Sequence, residues 1–432
     1  MSALRWMRHE RGDALIYAAL AVFAAVTAAG SGIPSHRNWG AIAAPGYAGG
    51  VVLALAGYFA VRHFGHAVRR PIRLGVLALV TLTAVLLPML LLVGLRAAGE
   101  TGTSVGEVPV IEASGGRLLG SGSPYADLAE LAVAHSTHAY YPYLPAMALF
   151  GLPRAVVGAS AVTDVRVVFL LASVVLLAVA FALRRWSQPP SIRGLQLLLL
   201  TPLLALPVAT GGDDVPVLAL LILGFVLAER RAVGWAGAAV GVAAAMKLTA
   251  WPVIAVLAVA LVVVLGWRPA ARFVGTAALV VAGFVVPYLV ADPDRLVEHL
   301  FRFPFGMTEL RTPAASPMLG YWIERAGPYG HQAALGLLLV AGALFVGYLV
   351  RRPPRSVPSA ALLASVGLSL AFVLAPSTRF GYFVYPVVLG AWWLTARAPA
   401  RPSPEEELAA ELAELLRDTP VGEAERVPAL AG

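Results

Sequence analysis

Cysteine is absent from all 432 residues, which excludes disulfides, thiol nucleophiles and thiolate metal sites. Lysine is all but absent as well: Lys247 stands alone, and the rest of the basic charge is arginine. Charged residues make up only 13% of the chain, where a soluble protein carries about 25%. The net charge of +8 lies in short arginine clusters set between apolar runs. That is the pattern of loops obeying the positive-inside rule, so no nucleic-acid partner is expected.

What fills the chain is apolar. Hydrophobic residues make up 59% of it, many in runs of about 18 residues or more that read as membrane spans. The chain is therefore expected to be an all-α polytopic membrane protein lying in a lipid bilayer. The first run, about 13–30, is long and lacks a clear cleavage site, so it reads as a retained span.

Arginine clusters set the topology. Arg5, Arg8 and Arg11 keep the start inside, and Arg62, Arg69, Arg70 and Arg73 mark the next inner loop. Spans at about 13–30, 48–63 and 74–96 then place residues 97–165 outside, with His36 and Arg37 in an earlier outer loop. The run after 165 ends at Arg184 and Arg185; with that loop inside, residues 141–160 must begin and end outside, and 141–152 read as an interfacial helix with tyrosines at headgroup level, a true span being the alternative. Further spans follow at about 166–183, 192–209, 214–229, 233–266 (two helices divided at KLTAWP), 273–290, 332–350, 359–375 and 382–396. The total is about twelve, with both ends cytoplasmic.

Three regions result. Residues 1–73 form an N-terminal segment and two-span hairpin, and 74–396 a transmembrane core with outer loops 97–165 and 291–331. Residues 397–432 form a cytoplasmic tail, where Ser403 and Glu406 resemble a capping box ahead of Leu408, Leu412, Leu415 and Leu416 on one helical face.

The polar residues not used to set the topology then fall on one side. Glu107, Glu112, Asp127, Asp213, Asp214, Lys247, Asp292, Arg302, Arg311 and Arg379 all land outside. Ionisable groups at membrane depth are costly and usually functional, so their convergence points to a site. Each has a plainer reading. Glu107 could be a solvated loop residue, Asp213 and Asp214 a favourable helix start, and Lys247 a snorkelling cation. His135 and His138 are spaced i, i+3 but have no carboxylate at matching spacing, so no metal is expected.

The segments EVPVIEASGGRLLGSGSPY, YYPYLPAMALFGLP, TGGDDVPVLALLILGFVLAERRAVGWAGAAVGVAAAMKLTAWP and LAPSTRFGYFVYP, across roughly 105–390, resemble membrane-embedded C-type glycosyltransferases that use polyprenyl-phosphate sugars. The likeness is strongest to glycosyltransferase family 87, whose members are actinobacterial mannosyltransferase-like proteins. The resemblance implies a first outer loop carrying interfacial helices and a catalytic carboxylate near its start. By position this is Glu107, followed by Gly122, Pro124 and Tyr125; the family more often has aspartate there, which leaves Glu112 as a rival.

The implied donor is a polyprenyl-phosphate sugar, with mannose first and arabinose open, and the implied acceptor a glycolipid or glycan of the envelope. A carboxylate base would take the acceptor's hydroxyl proton, while fixed cations would stabilise the phosphate leaving group. Lys247 and Arg379 are the first candidates for that phosphate, then Arg302 and Arg311. Tyr125, His138, Tyr141, Tyr143, Asp213 and Asp214 are candidates to hold substrate, and no cofactor is expected. A transporter or lipid flippase is the alternative, though no internal repeat is evident. A non-catalytic subunit of an envelope complex is the third reading.

Overall fold

The computed structural model describes residues 10–184, 189–310 and 312–396. Helix follows nearly every apolar run, and the described residues hold no strand beyond an isolated bridge between Ala315 and Thr378. Nine described helices, from Arg11–Gly30 to Val357–Leu374, are long and apolar enough to cross a membrane. The chain is an all-α polytopic membrane protein.

The three remaining expected spans are the short helices Asp214–Glu229, Val233–Met246 and Val384–Ala396, of 16, 14 and 13 residues. A full crossing takes about 20 residues, and at 1.5 Å each these reach only about 20–24 Å. They are also the most enclosed, with 11, 10 and 9 of their residues buried. Val217, Leu221, Phe225, Val240, Ala244 and Trp392 from the three share one core. A helix wrapped in other helices need not match the bilayer's thickness, and these stop short.

Several expected boundaries move. Residues 34–47 are not a loop, because the second helix runs over Pro34–Phe64 with proline in its first turn, where its missing N–H costs nothing. The polar stretch after residue 106 is not continuous loop either: Glu107–Ser121 is a helix that buries Val108, Ile111, Glu112 and Gly115 on one face. The 192–209 span is broken at Thr201, held extended by Pro202, into Ile192–Leu200 and Pro202–Thr210.

The segment expected to lie at the interface begins beside Tyr125, whose hydroxyl donates to the Tyr143 carbonyl at 3.0 Å. It winds through 3₁₀ turns over Pro145–Gly151 into Leu152–Val157. Gly115 and Gly151 bring the backbones of this segment and the Glu107–Ser121 helix so close that a Cβ on either would overlap main chain. Arg154 then reaches Glu112 at 3.2 Å. The segment thus runs along the Glu107–Ser121 helix.

Loops assigned to one side meet each other. Asp13 joins Arg73 at 2.6 Å and also Arg193, Arg184 joins Glu229 at 3.0 Å, and Arg230 donates to the Leu183 carbonyl. On the other side, Val105 N–H donates to the Thr210 carbonyl at 2.9 Å and Ser316 N–H to that of Thr378 at 2.9 Å. The tail, with its expected amphipathic helix, lies outside the described residues.

Candidate active site

Glu107 opens its helix, and three local features fix where it points. Val105, two residues before it, is tied to Thr210 through the backbone. At Gly106 the ring of His138 sits where a Cβ would be, so a larger residue would have to move that ring. Arg379 then arrives from the other end of the chain on an extended link and pairs with the Glu107 carboxylate. That link is held by Ser316, whose hydroxyl accepts the Phe380 N–H at 3.0 Å. Both side chains keep solvent access, 19% for Glu107 and 36% for Arg379. Burial disfavours the Arg379 charge, but Glu107 outweighs it and raises the guanidinium pKa above its ordinary value.

A second cluster lies at the ends of the short helices. Lys247 follows the last turn of Val233–Met246, while Asp213 and Asp214 begin Asp214–Glu229. The Lys247 ammonium contacts Asp213 at 2.8 Å and Asp214 at 2.5 Å, and Tyr385 donates its hydroxyl to Asp214 at 2.7 Å. Burial works against the lysine's charge, yet the two carboxylates hold its pKa above the ordinary lysine value. It is a fixed cation.

Tyr143 connects the clusters. Lys247 stands 5.2 Å from its ring centroid, and its phenol is raised by burial, then by Asp213 and Glu107, with Arg379 opposing. Glu107, Asp213, Lys247 and Arg379 thus gather around one phenol.

Behind it lies an aromatic layer pinned by His299. The ring is fully buried; Nδ1 accepts the Tyr141 N–H at 2.9 Å and Nε2 lies 3.1 Å from the Ala126 carbonyl. With Nδ1 accepting, the proton belongs on Nε2, and the imidazole is neutral. Burial pushes its pKa down to about 4. Tyr125 and Tyr140 lean on the same ring, at 5.3 and 5.6 Å between centroids. One histidine thus clips the second outer loop to the first.

The profile of glycosyltransferase family 87 matches residues 139–377, more than half of the chain. The chain belongs to glycosyltransferase family 87. The family found by the profile is one of glycosyltransferases, and not of transporters or flippases. The chain is also similar to ArnT from Cupriavidus metallidurans, solved bound to undecaprenyl phosphate, with 15% identity and a TM-score of 0.45. That match covers 79% of this chain and 63% of ArnT, so the chain spans under two thirds of its neighbour. No curated protein matches. The family 87 match takes in Tyr141, Tyr143, Asp213, Asp214, Lys247 and His299, and stops short of Glu107, Glu112, Tyr125, His138 and Arg379.

The two rival carboxylates of this family 87 chain have separate surroundings. Glu112 takes both ends of Arg96, at 2.8 and 2.7 Å, together with Arg154 and the Val165 N–H at 3.2 Å. Arg96 also holds Asp164 at 2.7 Å, which in turn grips the buried Arg166. Burial would raise the Asp164 carboxyl, but Arg166 and Arg96 keep it below the usual carboxylate range. Arg166 spends its remaining donors on the Thr103 and Ala209 carbonyls.

Arg302 pairs with Glu298 one turn back at 3.2 Å and is about half exposed; no contact joins it to Lys247 among the described residues. Arg311 lies outside the described residues. His299 and the Arg96–Asp164–Arg166 network were not legible as such in the sequence. VEHLFRF offers no spacing signal, and Asp164-Val-Arg166 looks like an ordinary helix start.

Proposed function

We propose that this family 87 enzyme transfers a sugar, with mannose first, from a polyprenyl-phosphate donor to a hydroxyl of an envelope glycolipid or glycan on the outer face. The observation that carries the reading is the Glu107–Arg379 pair, which joins a candidate base to a candidate phosphate cation across 272 residues of sequence.

The two cations differ in what they have left to give. Lys247 already answers two carboxylates, whereas Arg379 has one and is the more exposed. A donor phosphodiester therefore competes with Glu107 for Arg379, and guanidinium suits phosphate geometry. Once the phosphate takes Arg379, the Glu107 carboxylate is released to accept the acceptor's proton as its oxygen attacks the anomeric carbon. Charge growing on the departing phosphate is met by Arg379. Displacement by one attacking oxygen inverts the anomeric centre. Asp213 and Asp214, aligned by Lys247 and Tyr385, are the groups to hold sugar hydroxyls beside Tyr143.

The test is transfer of radiolabelled sugar from polyprenyl-phosphate mannose in membranes containing wild type, Glu107→Gln or Glu112→Gln. Loss of about 10²–10⁴-fold is expected for Glu107→Gln in normally folded protein. Full activity in that variant would remove Glu107 from the mechanism. Wild type that transfers nothing from this donor would remove mannose or the carrier instead.

A further inference from the structure

A groove of about 410 Å³ opens between the start of the Val233–Met246 helix and the first turns of Trp267–Ala291. Arg231, Gly234, Trp235, Arg272 and Thr276 line it, and no carboxylate does. This is the side on which Arg73 and Arg193 share Asp13, and Arg184 has Glu229. Arg231 and Arg272 differ: among the described residues, neither side chain makes an ion pair or hydrogen bond.

Local geometry turns both into the groove's wall. The Arg272 guanidinium lies over Gly234, its Nε 3.4 Å from where a Cβ would stand, an ordinary contact distance. Arg231 occupies a left-handed position, φ 60°, where glycine would be free of strain.

The surroundings are those of a membrane edge. Trp235 and Trp267 are 74% and 66% exposed, as indoles at headgroup level are. Farther along the same face of the second helix, Leu279, Val286 and Val290 are exposed apolar residues. A cationic groove thus continues into an apolar helix face.

We infer that this groove binds an anionic phospholipid, its phosphate on Arg231 and Arg272 and its acyl chains along the exposed face of Trp267–Ala291. Two converging guanidinia without a protein anion complement a phosphate, and the apolar continuation selects a lipid over a free ion.

The test uses the purified full chain in detergent, titrated with phosphatidylglycerol or with phosphatidylethanolamine of the same acyl chains and read by native mass spectrometry. Selective retention of phosphatidylglycerol is expected. Arg231→Gln/Arg272→Gln should weaken it about tenfold or more, while Arg117→Gln, on a surface pair elsewhere, should leave it unchanged. Melting temperatures without lipid establish that the variants are folded. Equal retention of both lipids, or no effect of the double variant, would overturn the inference. So would displacement by inorganic phosphate at matched concentration, which would mean an anion site without lipid. Phosphatidylglycerol binding only after removal of residues 397–432 would assign the groove to the glutamate-rich tail and likewise overturn it.

Discussion

Glu107 and Glu112 lie on one helix in opposite circumstances. Glu112 is 7% exposed at its side chain and gathers two arginines and a backbone N–H, so a substrate proton has no free lone pair to reach. Neutralising it leaves Arg154 without its carboxylate and Arg96 with Asp164 alone, and breaking a buried ion pair costs about 3–5 kcal/mol. Glu112→Gln is therefore expected to lower the yield of folded protein and the melting temperature, where Glu107→Gln lowers only turnover. Size-exclusion and thermal profiles of the two variants separate these outcomes. Arg379→Lys keeps the charge and loses the fork, so KM for the donor should rise more than kcat falls, and a kinetic series over donor concentration measures both. The sequence located Glu107, Lys247 and Arg379 because each is an ionisable residue isolated among apolar ones. It could not separate Glu107 from Glu112, since what distinguishes them is contact with Arg96 and Arg154, which sequence spacing does not encode.

At the scale of elements, the outer loops are held by close packing and by one neutral histidine. Gly115 faces main chain at Gly151, whereas its neighbour Gly116 has nothing within 4 Å. Gly115→Val should cost about 1–3 kcal/mol or more in thermal unfolding, and Gly116→Val close to nothing. His299 adds a pH dependence. Folding binds the neutral ring, with a pKa near 4 against 6.5 when unfolded, so the unfolded chain takes up the extra proton between those values. Stability is complete above pH 6.5 and falls as pH drops towards 4, by up to about 3 kcal/mol. Melting curves from pH 7.5 to 4.5 should show this slope, and His299→Gln should flatten it. The long helices were legible from hydropathy; the start of Pro34–Phe64, the short loop helices such as Leu128–Ala134 and Leu319–Glu324, and Glu107–Ser121 were not. In the last of these, Pro109 and the glycines read as loop, but a proline in the first turn is tolerated, and the buried Val108, Ile111 and Gly115 face decided for helix.

For the whole molecule, arginine clusters alone sorted the loops into two sets, and the contacts of Asp13 with Arg73 and Arg193, and of Glu107 with Arg379, respect that sorting. The count of spans was less legible, because hydropathy measures how apolar a helix is and not whether lipid or protein surrounds it. Asp214–Glu229 and Val384–Ala396 are as apolar as most spans yet are largely buried in the core. The cysteine-free chain makes sidedness measurable without removing native thiols. Thr101→Cys and Arg355→Cys each place one thiol at an exposed position. An impermeant maleimide applied to intact cells should label the first and reach the second only after permeabilisation; the reverse would invert the topology.

The pairing of Glu107 with Arg379 also sets a time. A ribosome that has just released residue 107 must still deliver 272 more before its partner emerges, and Val357–Leu374 must enter the bilayer first. Until then the unfinished chain carries the Glu107 carboxylate without the guanidinium that pairs with it, and a chain cut short before Arg379 never forms that pair.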